Sequence, residues 1–294
     1  MESLEEIKKK YKLSDEEHNR IGKEIIKIML HDKYPVKNPT AIIDIAPPAS
    51  GKTGLNGYAN EQFIDNNVVI INSDELKPFH PNIDEIAKLY PQYYTKVTDQ
   101  ESNTWTSDLF DTVLKEGYNV IFEGTGKNTR ILETIKSKMQ AYHVIVRGMA
   151  VNELNCLMSI LERYENQVST KGWGRLVTLS HFYETYNEMP NTINTIENSS
   201  VVNSVEIYKR GNLPHKPIKI YDSNDKENGR FPNSKLAVLA GRKEDKKNAN
   251  EYLELHRTLN FFKNVEEGSE EANILAKIQM LHNEYTKELL DNER

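Results

Sequence analysis

Residues 46–53, Ala46-Pro-Pro-Ala-Ser-Gly-Lys-Thr53, carry the clearest chemical signal in the chain. Their ending, Gly51-Lys52-Thr53, is that of a phosphate-binding loop. In such a loop, successive backbone N–H groups and the following helix N-terminus cradle phosphate oxygens. The lysine bridges the terminal phosphates and the hydroxyl binds Mg²⁺. Gly51 lets the backbone approach the phosphates with no side chain in the way. Ala46 replaces the usual leading glycine, which works only if its φ stays negative. Ala49, Ser50, Gly51, Lys52 and Thr53 are the expected cradle; the plainer alternative is a strand-to-helix turn with a solvated lysine.

Two carboxylates fall where they could serve that loop. Asp74 follows an apolar run in Ile71-Asn-Ser-Asp-Glu-Leu-Lys77, and Glu123 closes another in Phe122-Glu-Gly-Thr-Gly-Lys127. One could bind Mg²⁺ beside Thr53, and the other could accept a proton from an attacking hydroxyl. The plainer alternative for Asp74 is to cap the helix that follows. Glu123 is costly at the end of a buried strand without a partner. Arg163 and Arg175 are candidate clamps for a migrating phosphoryl group, and the glycines around Trp173 suit a mobile segment before Arg175. Spacing alone leaves both arginines open to an ordinary surface role.

The elements that must position these groups alternate. Residues 40–46, 67–72, 118–123, 143–151 and 201–208 read as strands, and 217–221 as one more short strand. Helical lengths fall at 14–31, 54–64, 101–116, 129–141, 152–168 and 176–198. Strands apolar on both faces, alternating with helices, predict a three-layer α/β fold with a mostly parallel sheet. Ligands of such sheets sit beyond the carboxyl ends of the strands. From residue 234 onward the chain reads as charged helices. The cluster Tyr90, Tyr93, Tyr94 and Trp105 reads as packing in preference to a stacking platform, and no His, Cys or carboxylate pair has zinc-site spacing.

The chain has 294 residues, 38 Lys+Arg and 44 Asp+Glu, for a net charge of -6. That balance argues against coating nucleic acid, which requires surplus cations, but not against one cationic pocket for a small phosphorylated ligand. The single cysteine, Cys156, rules out an internal disulfide. With no secretory leader pattern and no long apolar run, the expected setting is cytoplasmic, away from membranes.

Several fragments together resemble the zeta toxins, P-loop kinases of bacterial toxin–antitoxin systems. They are residues 41–53, residues 71–81 ending Phe79-His80-Pro81, Gly117-Tyr-Asn-Val-Ile-Phe-Glu-Gly-Thr-Gly126, and Glu162-Arg-Tyr-Glu165 with Arg175 beyond. The resemblance spans roughly residues 38–210. It implies a P-loop kinase fold and phosphorylation of UDP-N-acetylglucosamine on a sugar hydroxyl, with ATP or GTP and Mg²⁺ as cofactors and an antitoxin as partner. It implies Asp74 as the base, Arg163 and Arg175 as phosphoryl clamps, and Lys52 and Thr53 as nucleotide and metal residues. His80, Ser107, Glu123, Thr125 and Lys127 fall on the acceptor side, Glu123 doubling as a metal candidate. The departures are Lys127 where the family has arginine, Ser107 where it has an acid, and alanines at 46 and 49. They leave room for another nucleotide-containing acceptor such as NAD, or for a non-catalytic nucleotide-binding protein. On this reading residues 1–36 are an N-terminal helical segment, 37–215 the kinase core, and 216–294 a mostly helical extension. The helix at 14–31 reads as packed on the sheet edge, with antitoxin docking as the alternative.

Overall fold

The computed structural model describes residues 2–124, 126–211, 216–225, 229–256 and 265–292. Its strands are β1 (Thr40–Ile45), β2 (Val69–Ile71), β3 (Val120–Gly124), β4 (His143–Met149), β5 (Ser204–Lys209) and β6 (Ile218–Asp222). They form one sheet in the order β2-β3-β1-β4-β5-β6. All neighbours are parallel except β5 and β6. The helices are α1 (Leu4–Tyr11), α2 (Asp15–Met29), α3 (Lys52–Asn60), α4 (Ser73–Leu76), α5 (Ile83–Leu89) and α6 (Tyr94–Glu116). They continue with α7 (Arg130–Lys138), α8 (Glu153–Lys171), α9 (Leu179–Asn198), α10 (Ser234–His256) and α11 (Glu270–Asn292). This is the expected three-layer α/β fold with helices at the C-terminal end. Among the described residues, no helix is long and apolar enough to cross a membrane.

Central strand β1 explains the layering. Ala41, Ile43 and Ile45 share a cluster with Ile21 of α2, Leu109 of α6 and Ile193 of α9. Ile42 turns the other way and packs with Ala59 of α3. The period-two alternation of a strand therefore needs an apolar residue at nearly every position when both faces are covered. Helix α2 lies on α6, where the Trp105 indole N–H donates to the His18 carbonyl at 3.1 Å.

The sequence pattern places residues 1–36 in a helical segment but delimits only the helix at 14–31, leaving α1 unmarked. Ser3 and Glu6 form a reciprocal capping box, and Ile7 and Tyr11 are buried with Ile86 of α5 and Val97 of α6. Only two turns long and dense in charge, the segment derives its helicity from that tertiary contact.

The expectation of strands apolar on both faces fails on the α3 side. Asp44 of β1 lies opposite Glu123 of β3 and Arg147 of β4, and Arg147 lies opposite Glu206 of β5. Arg147 is 2% exposed. It donates to the Glu206 carboxylate at 2.8 Å and to the Gln62 side-chain Oε1 at 2.7 Å, and packs against the rings of Tyr58 and Tyr208. Asp44 is fully buried and neither carboxylate oxygen has a hydrogen-bond partner among the described residues. Burial pushes its pKa from 3.8 up to about 7, against the pull of Arg147.

A carboxyl raised in the folded state stabilises the fold most when protonated. Its contribution is complete below about 3.8 and is lost as the pH rises through about 7. Asp44→Asn is therefore expected to gain on the wild type between pH 4.5 and pH 8, by an amount on the order of a few kcal/mol. Thermal melts at the two pH values check this. A difference between the proteins that stays constant with pH would exclude a titrating Asp44.

Candidate active site

The loop after β1 turns on Ser50, whose hydroxyl donates to the Pro47 carbonyl at 2.8 Å. Ala46 avoids positive φ, as its side chain requires, but Ala49 sits at φ 57 in the left-handed region. For a residue with a Cβ that conformation costs roughly 1–2 kcal/mol. Gly51, at φ 100, is the N-cap of α3 and offers no side chain to its amides. The first N–H groups of α3 are thus left to an outside acceptor, and the helix dipole favours an anion there. Lys52 Nζ donates to the Ala46 carbonyl at 2.9 Å. Burial pulls its pKa down, while Glu123 and Asp74 act in the opposite direction.

Lys52 and Thr53 line a cleft of about 400 Å³ together with Asp74, Glu123, Arg163 and Arg175. The strand-end geometry accounts for the carboxylates. Glu123 is the penultimate residue of β3 and receives the side-chain amides of Asn56, on α3, and Asn72, the latter at 3.0 Å. Asn72 is also the N-cap of α4, accepting from the Asp74 amide at 2.9 Å. Asn72 therefore does the capping that was the plainer alternative for Asp74, and the Asp74 side chain is left for other contacts. It meets the Arg175 guanidinium and lies 3.3 Å from Lys77 Nζ, which is buried and held by Asp99 at 2.5 Å. Burial alone would raise the Asp74 pKa, but Arg175 and Lys77 outweigh it and hold the carboxyl below its ordinary range.

Both arginines reach the cleft from one region. Arg163 projects from α8, and among the described residues nothing accepts a hydrogen bond from it. Burial and then the neighbouring Arg175 lower its pKa. Arg175 follows α8 by four residues and is fixed at its backbone, where its N–H donates to Gln167 Oε1 of α8 at 2.8 Å. Preceding Trp173 packs edge-on against Tyr94 of α6, ring centroids 4.9 Å apart. Gly174 lies so close to α8 that a Cβ would stand 2.8 Å from the Tyr164 carbonyl oxygen.

Other residues expected on the acceptor side are not brought into the cleft. His80 is 1% exposed. Its ring joins the Tyr11 carbonyl at 3.1 Å and accepts from the Asn82 amide at 3.2 Å, which makes it a tie between α1 and α5. Ser107 is exposed on α6. Lys127 lines a separate cavity of about 270 Å³ between β3 and α7 and pairs with Glu184 of α9 at 3.0 Å. Thr125 lies outside the described residues. Sequence reasoning also missed two groups that line the cleft, Arg210 and His181. Burial and the cations Lys127 and Arg175 depress the His181 pKa. Arg210 directly follows β5, so the strand-end rule that singled out Glu123 could have found it.

The zeta toxin family model matches residues 27–226. This chain belongs to the zeta toxin family. It is 29% identical to the zeta toxin of Streptococcus agalactiae over 195 residues, 65% of this chain and 66% of that toxin. It is 28% identical to the zeta toxin of Streptococcus pyogenes over 198 residues, 66% of this chain and 67% of that one. The match to these curated relatives thus spans about two thirds of their length. Among solved structures, a chain of the PezAT chromosomal toxin–antitoxin system of Streptococcus pneumoniae superposes with a TM-score of 0.66 at 18% identity, over 94% of this chain and 99% of that one. The AvrRxo1-ORF1:-ORF2 complex gives a TM-score of 0.51 at 11% identity, over 92% and 88%. These structures share the fold, and family membership places the chain among the kinase-like toxins.

The close approach of Gly174 to α8 is open to test. Gly174→Ala is expected to cost about 1–3 kcal/mol, the usual range for overpacking, in denaturant unfolding. A cost below about 0.5 kcal/mol, within the range of ordinary surface changes, would show that this segment is free to shift away from α8.

Proposed function

We propose that this zeta toxin is a kinase that transfers the γ-phosphoryl group of ATP or GTP to a hydroxyl of a nucleotide-containing metabolite, with UDP-N-acetylglucosamine as the first candidate acceptor. The observation that carries the reading is the gathering of Lys52, Asp74, Arg163 and Arg175 in one cleft at the uncapped N-terminus of α3. Phosphoryl transfer asks for that combination, because its catalysis consists almost entirely of positioning and charge stabilisation.

In this reading the amides after Gly51 and the Lys52 ammonium hold the terminal phosphates. Arg163, with no acceptor of its own among the described residues, takes equatorial phosphoryl oxygens. Arg175 joins it by exchanging its carboxylate partner for phosphate. Asp74 receives the proton of the attacking hydroxyl. With Arg175 moved to phosphate, Asp74 loses the cation that most holds its pKa down and becomes a better acceptor for that proton as the oxygen bonds phosphorus.

Thr53 and Glu123 would hold Mg²⁺. Their chemistry fits that ion: a hydroxyl and a carboxylate open to the cleft are hard oxygen donors, and Mg²⁺ ordinarily takes one or two protein ligands beside waters and phosphates. Bound there, it would neutralise charge on the phosphates. An antitoxin that occludes the cleft is the proposed protein partner, with cytoplasmic substrates.

A second reading keeps the reaction and changes the acceptor. Lys127 is paired with Glu184 and position 107 is an exposed serine on α6. Both favour a compound other than the family's sugar nucleotide, NAD being one candidate.

The test is incubation with ATP, Mg²⁺ and each acceptor, followed by mass spectrometry for the gain of one phosphate. A product on UDP-N-acetylglucosamine is expected; a product on NAD alone would transfer the assignment to the second reading. ATP binding with no product on any acceptor would overturn the kinase itself. Asp74→Asn should slow transfer by about 10²–10⁴. In the free enzyme Arg175 and Lys77 hold the Asp74 carboxyl below its ordinary 3.8, so wild-type kcat/KM, which reports the free enzyme, should show no acid limb between pH 5.5 and pH 8. An acid limb in that window would remove Asp74 from the role of base.

A further inference from the structure

The phosphate loop has an unusual support. Arg210, the residue after β5, donates from Nη2 to the Ala49 carbonyl at 2.6 Å and from Nε to the Ser50 carbonyl at 3.4 Å. Nη2 also donates to the Ser159 hydroxyl of α8 at 3.1 Å. One guanidinium thus joins the loop, the end of β5 and the helix that carries Arg163. Its own backbone is well fixed. Strand β5 is paired on both sides, and Gly211 passes so close to the Lys216 carbonyl oxygen that a Cβ would stand 1.9 Å from it.

The direction of these bonds matters. In a trans peptide the C=O and the following N–H point to opposite sides. A carbonyl of Ala49 turned toward Arg210 therefore turns the Ser50 amide away from it, where its N–H makes a long 3.4 Å bond to the Pro47 carbonyl that a ligand would have to replace. A carbonyl of Ser50 does the same for the Gly51 amide. An anion needs the N–H side of these peptides, and a carbonyl swung inward would repel it. The loop is also prone to such a swing, since Ala49 occupies a left-handed conformation that a residue with a Cβ adopts reluctantly. A planar fork can hold two adjacent carbonyls and a hydroxyl together, whereas a lysine supplies a single point of attachment.

We propose that Arg210 is a positioning residue for the nucleotide: it straps the Ala49 and Ser50 carbonyls outward, keeps the phosphate-binding amides aimed at the ligand, and holds a loop that has alanine at a left-handed position. This deepens the nucleotide-binding part of the kinase reading and rests on it.

Two measurements test the strap. The first is the affinity for a fluorescent ATP analogue with Mg²⁺ in the full-length chain. Arg210→Ala is expected to weaken it by about tenfold or more, as loss of charge-assisted hydrogen bonds should, and Arg210→Lys to recover only a minor part. Introduced into Ala49→Gly, which favours the left-handed conformation unaided, Arg210→Ala should weaken binding less, by about fivefold relative to its effect in the wild type. Full recovery by lysine, with equal losses in both backgrounds, would mean that Arg210 is simply a cation touching the nucleotide, and would overturn the proposal. Unchanged affinity in Arg210→Ala would overturn it too.

The second measurement needs no nucleotide. Amide hydrogen exchange at Ala49, Ser50 and Gly51 should quicken in Arg210→Ala while exchange in β1, β3 and β4 stays as in the wild type. Quickening everywhere would signal general unfolding and rule out a local strap; unchanged loop exchange would rule it out as well. If the wild type fails to bind the analogue, the nucleotide reading falls, and the exchange result still decides whether Arg210 holds the loop.

Discussion

Like-charge crowding governs this cleft. Lys52, Arg163, Arg175 and Arg210 line it against only two carboxylates, Asp74 and Glu123. Arg163 lowers the pKa of Lys52, and Arg175 lowers that of Arg163, after burial has acted on each. Cations do not gather this way unaided: Arg175 has the Asp74 carboxylate, and contacts that carry no charge hold most of the rest. Lys52 is tied to a backbone carbonyl. Arg175 is fixed through its backbone amide, its flanking glycine and a neighbouring indole. Arg210 is bound to two carbonyls and a hydroxyl. The fold opposes repulsion with neutral contacts, and the unmet demand for negative charge remains for a ligand to satisfy.

The acidic partners are treated in the opposite way. Glu123 is held by two asparagine amides, neither of which neutralises it. Each of its oxygens accepts from one amide and keeps a lone pair free. Asp74 is doubly paired with cations, so its charge is compensated and its proton affinity falls. Two carboxylates at neighbouring strand ends thus differ in character because one is surrounded by neutral donors and the other by charges. That divergence is the physical basis for giving them different tasks.

Much of this was legible in the residues and some was not, for identifiable reasons. The loop at Lys52 declared itself because backbone chemistry at a phosphate site admits few alternatives. Glu123 was readable because a carboxylate ending an apolar strand is costly unless it is used. The strand runs gave the sheet, since strands buried on both faces must be apolar. The same rule hid Arg147 and Glu206, for a buried ion pair satisfies itself across strands that lie far apart in sequence. Asn72 and Arg210 were hidden for a related reason. An asparagine or arginine is ordinary at any surface, and only the assembled fold shows which carbonyls and amides it meets. His80 stood out by type and spacing, yet both its ring nitrogens are spent on backbone. Its environment made it structural.

The interior row and the cleft are parts of one charge arrangement. Asp44 precedes Ala46 by two residues, so the strand that carries a buried carboxyl runs directly into the loop that carries Lys52. Glu123 raises the Asp44 pKa and Lys52 lowers it, after burial and Arg147 have had the larger effects. Three acids and one arginine under α3 would repel if all were ionised, and raising the pKa of Asp44 relieves that repulsion at its centre. The overall charge of -6 therefore conveys little about either place. Among the described residues the cleft sets one lysine and three arginines against two carboxylates, and the sheet beneath it carries Asp44, whose pKa burial raises against the pull of Arg147. Helix α3, which opens the cleft at one end and covers Arg147 at the other, is the element that spans both.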